Sequence, residues 1–117
     1  MEFREYYSIL ENASRLTMED YMANENIRKQ VRHAIGQMLR ILFEVGRSLV
    51  DGDGDELMWN LMKKGYLQAP LVQEILDVIT LYKSGSDEMI YVSLVRIMED
   101  IEEAYLMLKG FASRKIS

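Results

Sequence analysis

The stretch that decides the fold is Pro70-LVQEILDVITLYKSGSDEMI-Tyr91. Pro70 suits the first turn of a helix, where its missing backbone N–H costs no hydrogen bond. Apolar side chains then follow on nearly all sides of this helix until Gly85, which predicts its end. Ser86 can cap a second helix, and the two acidic residues after it favour the positive end of the helix dipole. The stretch therefore predicts two helices joined by a sharp turn.

The helical period of about 3.6 residues also recurs outside this stretch, and strand-like alternation persists nowhere. Thr17 begins a sequence that resembles a capping box. Glycines at positions 65 and 110 indicate helix ends. We expect an all-α, up-and-down four-helix bundle with one short additional helix, occupying residues 1–110, and a short tail at 111–117. The predicted helices begin with Glu2–Leu16, Ile27–Leu49 and the short Asp55–Lys64, and the second and fifth are expected to be longest.

Composition excludes several classes of protein. The chain of 117 residues is long enough for one domain with its own core, and its nine methionines suit core packing. It contains no cysteine, which excludes disulfides and thiolate metal sites. The first residues carry glutamates where a signal peptide needs basic residues, and no apolar run reaches the roughly 18 residues of a membrane span. We expect a cytoplasmic protein without a membrane segment.

The charge of the chain makes nucleic acid an unfavourable partner, because the net charge is −5 and the isoelectric point about 4.9. One basic patch is nevertheless predicted on the polar face of the second helix. It comprises Arg28, Lys29, Arg32 and Arg40. One hypothesis is therefore a helical adaptor that binds an acidic partner through this face.

Three other patterns favour structural explanations over chemistry. The loop Asp51–Glu56 lacks the glycine and the glutamate that an EF-hand requires at its sixth and twelfth positions. His33 is the only histidine, which excludes a multi-histidine metal site. The acidic run Glu99–Glu103 has no second inward-facing pair and is expected to be solvated, and Trp59 is expected to be a buried anchor. We therefore predict neither a metal nor a cofactor.

The chain resembles the HEPN superfamily, and within it the HepT-like branch, over about residues 4–108. The resemblance is carried by the order of four segments: Tyr7–Leu16, Arg40-ILFEVGRS-Leu49, Lys64–Leu67 and Ile90-YVSLVRIMED-Ile101. The branch has a motif at the end of its next-to-last helix: an arginine, four residues, a histidine, one residue and a tyrosine. Tyr82 falls at the motif tyrosine, whereas Thr80 stands at the histidine position and Ile75 at the arginine position.

The resemblance implies a function without catalysis. Members that cut RNA use the motif arginine and histidine, brought together across a two-fold dimer, without metal. Threonine cannot act as an imidazole base near neutral pH, and isoleucine cannot hold a phosphate. Relatives also pair with a small nucleotidyltransferase that modifies the motif tyrosine, in a toxin–antitoxin-like arrangement. Tyr82 is thus a candidate modification site, although a packing role at the helix end explains it as well.

Two hypotheses about assembly and activity remain beside this one. The helix after Pro70 is apolar nearly all round, which indicates a central position or an oligomer interface. With the two-fold symmetry of the family, this predicts a homodimer. The alternative to a binding protein is a metal-independent ribonuclease whose site has been relocated, with His33 as the only imidazole it could use.

Overall fold

The computed structural model describes residues 2–116, with side chains through residue 114, and the described part is helical without any strand. The all-α prediction is confirmed. There are six helices where five were expected: α1 Glu2–Ser14, α2 Met18–Ala23, α3 Glu25–Arg47, α4 Gly54–Lys63, α5 Ala69–Ser84 and α6 Asp87–Ile116. As predicted, α3 and α6 are the longest, with 23 and 30 residues. The molecule measures 46 × 26 × 18 Å.

Short polar side chains separate the helices. The Thr17 hydroxyl accepts a hydrogen bond from the backbone N–H of Asp20, so that α2 is a separate helix. Asn24 then accepts from the N–H of Ile27 and begins α3 without an intervening loop. Ser86 accepts from the N–H of Met89 in the first turn of α6. Each cap satisfies one N–H that a helix start leaves without a partner.

Contacts between the long helices fix their relative directions. Phe3 of α1 stacks on Tyr105 in the second half of α6, at 4.1 Å between ring centroids. At the other end of α1, the Tyr91 hydroxyl of α6 donates to the Leu16 carbonyl oxygen. Helices α1 and α6 are therefore antiparallel. The turn between α5 and α6 places these two helices side by side and antiparallel. Both helices also contact α3.

The core lies between α3 and α6, with α1 on one side and α4 and α5 on the other. The largest fully buried side chains come from every helix and from the loop after α4. They are Leu10, Tyr21, Ile35, Met38, Leu42, Leu57, Met58, Leu61, Leu67, Ile75, Ile90 and Leu94. Burial of this apolar surface is the main force that orders the helices.

The apolar helix α5 is covered within one chain, which removes the reason for predicting an oligomer interface there. Its apolar side chains from Leu71 to Tyr82 are buried or half-buried against α3, α4 and α6. The exposed large apolar side chains are Trp59 on α4 and five residues of α6: Met89, Val92, Val95, Leu106 and Met107. The sequence pattern did not reveal this because an all-apolar helix inside one chain and one at an interface look the same.

Gly110 does not end the last helix, and this prediction was wrong. Helix α6 continues to Ile116 and includes most of the segment expected to be a tail. Phe111 packs edge-on against Tyr66, with 5.1 Å between ring centroids. A glycine inside a helix costs only about 1 kcal/mol, which this additional contact offsets.

Candidate functional site

Tyr82 packs across α3 at the position of Gly36. A Cβ atom built on Gly36 would lie 2.5 Å from the Tyr82 Oη and 2.9 Å from its Cζ. Both distances are shorter than van der Waals contact allows, so the ring can lie here only because residue 36 has no side chain. Tyr82 itself is half-buried. The sequence signal for this contact was a glycine inside a long helix, which often marks a close approach of another group.

The Tyr82 ring forms part of the wall of an open groove between α3 and α5, of about 330 Å³. The floor is apolar and the rim carries three cationic side chains and one carboxylate. Apolar lining comes from Leu39, Phe43 and Ile79, and charged lining from Arg40, Arg47, Lys83 and Asp53. The Arg47 guanidinium donates to Asp53 at 2.8 Å, whereas Lys83 is exposed. The groove thus combines an aromatic hydroxyl, apolar surface and positive charge.

The two degenerate motif positions are not brought together by the fold. Ile75 is fully buried in the core. Thr80 lies at the surface, where its hydroxyl donates to the Leu76 carbonyl oxygen at 3.1 Å. Five residues along a helix correspond to a rotation of about 140° about its axis, so these positions point in different directions. Of the three motif positions, only Tyr82 faces the groove.

Two residues of the predicted basic patch bind the turn between α5 and α6. The Arg28 and Arg32 guanidinium groups contact the Asp87 carboxylate at 3.2 and 3.0 Å. Arg32 also donates to the carbonyl oxygens of Tyr82, at 2.9 Å, and Gly85, at 3.1 Å. The hydrogen bond from Arg32, followed by that from Arg28, holds the pKa of Asp87 below its usual value. Arg32 therefore fixes the end of α5 next to Tyr82.

The other two basic-patch residues also have acidic partners. Arg40 donates to Glu44 at 2.8 Å and to Glu2 of α1 at 3.2 Å. Lys29 lies 3.1 Å from Glu25, one turn away. The positive face is therefore largely neutralised within the chain. Within residues 28–47 only Glu44 is acidic, and Asp87 and Glu2 reach this segment through the tertiary fold.

A pair of carboxyl groups lies on the opposite side of α5. Glu74 of α5 and Asp100 of α6 line a groove with Glu103, and Arg96 approaches Glu74 at 3.7 Å. One oxygen of Asp100 is buried without a hydrogen-bond partner. Burial and, second, the neighbouring Glu74 raise the pKa of Asp100 to about 6. The acidic run Glu99–Glu103 was expected to be solvated, but Asp100 is partly buried and is not part of a freely solvated face.

The remaining sequence candidates have local structural roles. Asp53 caps α4, and among the described residues no group of three or more His, Cys, Asp or Glu side chains could hold a metal ion. His33 is exposed and lies edge-on to Tyr6, with 6.1 Å between ring centroids. Trp59 is 40% exposed and is not the buried anchor that was expected, since the neighbouring Met58 and Leu57 face the core instead.

Comparison of the chain with protein-family models, with curated proteins and with solved structures gave no match. Across the described helices, none combines the length and the apolarity needed to cross a membrane.

Proposed function

We propose that this chain is a non-catalytic, HepT-like member of the HEPN superfamily that acts by binding another protein. In this proposal α1, α3, α5 and α6 are the four helices of an up-and-down bundle. The order of the helices and the antiparallel contacts of α6 with α1 and α5 support the assignment. The protein would act in the cytoplasm as a homodimer.

The proposed partner is a small nucleotidyltransferase that forms a toxin–antitoxin-like pair with this chain and modifies Tyr82. The observation that carries the proposal is the position of Tyr82 in an open groove with cationic residues on its rim. Lys83, which is exposed, would attract the phosphates of a nucleotide, whereas Arg47 is bound to Asp53. The phenol oxygen of Tyr82 is the nucleophile such a transfer needs. The other two motif positions, Ile75 and Thr80, offer neither a base nor a cation.

A ribonuclease with a relocated site is less well supported. His33 would have to serve as its general base, and the site would also need a cationic side chain to hold the phosphate. The nearest candidates along the same helix, Arg28, Arg32 and Arg40, are all bound to carboxylates. The same ion pairs count against an adaptor whose basic face binds an acidic protein.

The test first establishes whether a small nucleotidyltransferase is encoded beside the gene of this chain. The purified chain is then incubated with that enzyme and with each nucleoside triphosphate in turn. Intact-mass spectrometry should show the mass of one or more nucleotidyl groups. Tyr82→Phe should abolish the addition, whereas Tyr66→Phe, which changes another half-buried tyrosine, should not.

The opposite outcome is equally specific. Unchanged mass in the presence of an active enzyme, or modification that persists in Tyr82→Phe, would refute the role of Tyr82. Cleavage of single-stranded RNA in EDTA that is lost in His33→Ala would instead favour the relocated ribonuclease.

A further inference from the structure

The outward face of α6 carries six exposed side chains with the spacing of a coiled-coil seam. Positions 89, 92, 96, 99, 103 and 106 follow one another in steps of three and four residues. This spacing keeps one side of a helix facing a partner helix. At the two ends of the stripe the side chains are apolar and well exposed: Met89 is 51% exposed, Val92 69% and Leu106 57%. The middle is charged, with Arg96, Glu99 and Glu103.

We propose that this stripe, the α6 seam, is the surface on which two copies of the chain pair, antiparallel and about a two-fold axis. The inference rests on the homodimer in the proposed function and assigns the surface that forms it. It departs from the two-fold dimer of the ribonuclease members of the family, which brings the motif positions of α5 together. The reason is that the apolar side chains of α5 from Leu71 to Tyr82 are covered within this chain.

The stripe is complementary to itself in the antiparallel direction. A two-fold axis between positions 97 and 98 sets Met89 opposite Leu106 of the second copy, so that two apolar contacts form at the ends. The same axis sets Arg96, which is half exposed and lies 3.7 Å from Glu74 within its own chain, opposite Glu99 of the second copy, giving two further ion pairs near the centre. A parallel arrangement would instead bring arginine against arginine and glutamate against glutamate.

Between these pairs the contacts are aliphatic. Val92 faces the methylene groups of Glu103 of the second copy, whose carboxylate can stay in water. Val95, which is 54% exposed, flanks the seam and adds apolar area. The charged middle disfavours pairing in other directions and registers, because those arrangements leave its charges unpaired or set like charges together.

The size of the seam sets the strength of the dimer. The 18 residues from Met89 to Leu106 span about 26 Å along the helix, at 1.5 Å for each of the steps between them. A single helix pair of this length buries less than the roughly 1,600 Å² of a standard interface, so a dissociation constant in the micromolar range is expected.

Charge reversal tests the register by sedimentation equilibrium. Arg96→Glu and Glu99→Arg should each weaken the dimer by at least about tenfold, because each removes two ion pairs and sets like charges together. The two changes combined should restore most of the affinity. Arg15→Glu reverses an exposed charge outside the seam, on a side chain that is 72% exposed, and should leave the dimer unchanged. A thermal melt of each variant serves as the control that the fold is intact.

Cross-linking tests the direction independently, since the chain contains no cysteine. A Met89→Cys chain mixed with a Leu106→Cys chain should form a disulfide-linked pair under mild oxidation. Either chain alone should not, because the two copies of residue 89 would lie about 26 Å apart, far beyond disulfide reach.

Failure of the seam and failure of the homodimer give different results. A wild-type chain that stays monomeric at several hundred micromolar overturns both. A wild-type dimer that is unaffected by Arg96→Glu and by Val92→Glu, and that yields no mixed disulfide, overturns the seam and leaves the homodimer to another surface.

Discussion

Replacing Asp100 by asparagine should stabilise the protein above pH 6 and leave it unchanged below pH 4. Asp100 lies beside Glu74 in the groove between α5 and α6, with one carboxylate oxygen buried and unpaired. Burial and the Glu74 carboxyl raise its pKa from 3.8 to about 6. At neutral pH the folded chain therefore keeps a carboxylate charged in a place that disfavours the charge.

The sign follows from proton linkage. Because the folded pKa of Asp100 is above the unfolded value, the folded state binds the proton more tightly, and the stabilisation from this group is fully present below pH 4 and lost as the pH rises through 6. A difference of about two pH units corresponds to about 3 kcal/mol. Since the side chain is partly exposed, solvent screening reduces the expected gain for Asp100→Asn at pH 7.5 to about 1 kcal/mol, or about 3–6 °C in melting temperature.

The assay is urea unfolding of the two proteins at a series of pH values from 4 to 8, followed by circular dichroism. The matched control is Asp77→Asn, which removes the same charge from an exposed position on α5 and should change the free energy of unfolding by less than about 0.5 kcal/mol at every pH. Equal effects of the two substitutions across the series would refute the raised pKa of Asp100. So would a gain that persists undiminished at pH 4.

Three further predictions concern the contact of Tyr82 with Gly36, the turn after α5 and the buried core. Gly36→Ala should stabilise the protein by about 1 kcal/mol in a Tyr82→Ala background but much less in the wild type, because the new Cβ meets the tyrosine ring. A double-mutant cycle in urea measures this coupling, and additive effects would contradict the contact. Arg32→Met removes hydrogen bonds to two carbonyl oxygens and a carboxylate and should cost about 2 kcal/mol, whereas Lys29→Met should cost little by the same measurement. Ile75→Arg should destabilise the fold by about 3–5 kcal/mol, seen as a large loss of melting temperature, because the position is fully buried; a stable, folded variant would show that this position can reach solvent.

The burial of Ile75 also limits how the alignment of this chain with the HepT-like motif can be tested. Restoring an arginine there together with a histidine at Thr80 would be a test of ribonuclease activity only if the double variant folded. Since Ile75 is in the core and Thr80 at the surface, loss of structure is the expected result. Modification of Tyr82 is therefore the more informative experiment.

Local sequence determined the helices and their starts. A helix forms through hydrogen bonds between residues four apart, and its caps act within three residues, so the information lies in short windows. The predicted span Ile27–Leu49 corresponds to α3 at Glu25–Arg47, and Thr17 and Ser86 cap helices as their sequences indicated. The prediction failed at Gly110, where a contact with distant Tyr66 through Phe111 outweighs the local signal.

Tertiary structure alone decided which charges and which apolar faces are available to a partner. Arg28 meets Asp87 across 59 positions of the chain, and the pKa of Asp100 depends on Glu74 of another helix. By its spacing in the sequence Gly36 belongs to the polar face of α3, and only the structure shows that the Tyr82 ring lies against it. Ion pairing, burial and close packing depend on distances in space, because these interactions weaken within a few ångströms. The order of residues along the chain does not specify those distances. For that reason the sequence determined the helices of this protein, whereas the candidate groove and the α6 seam became visible only when those helices were packed together.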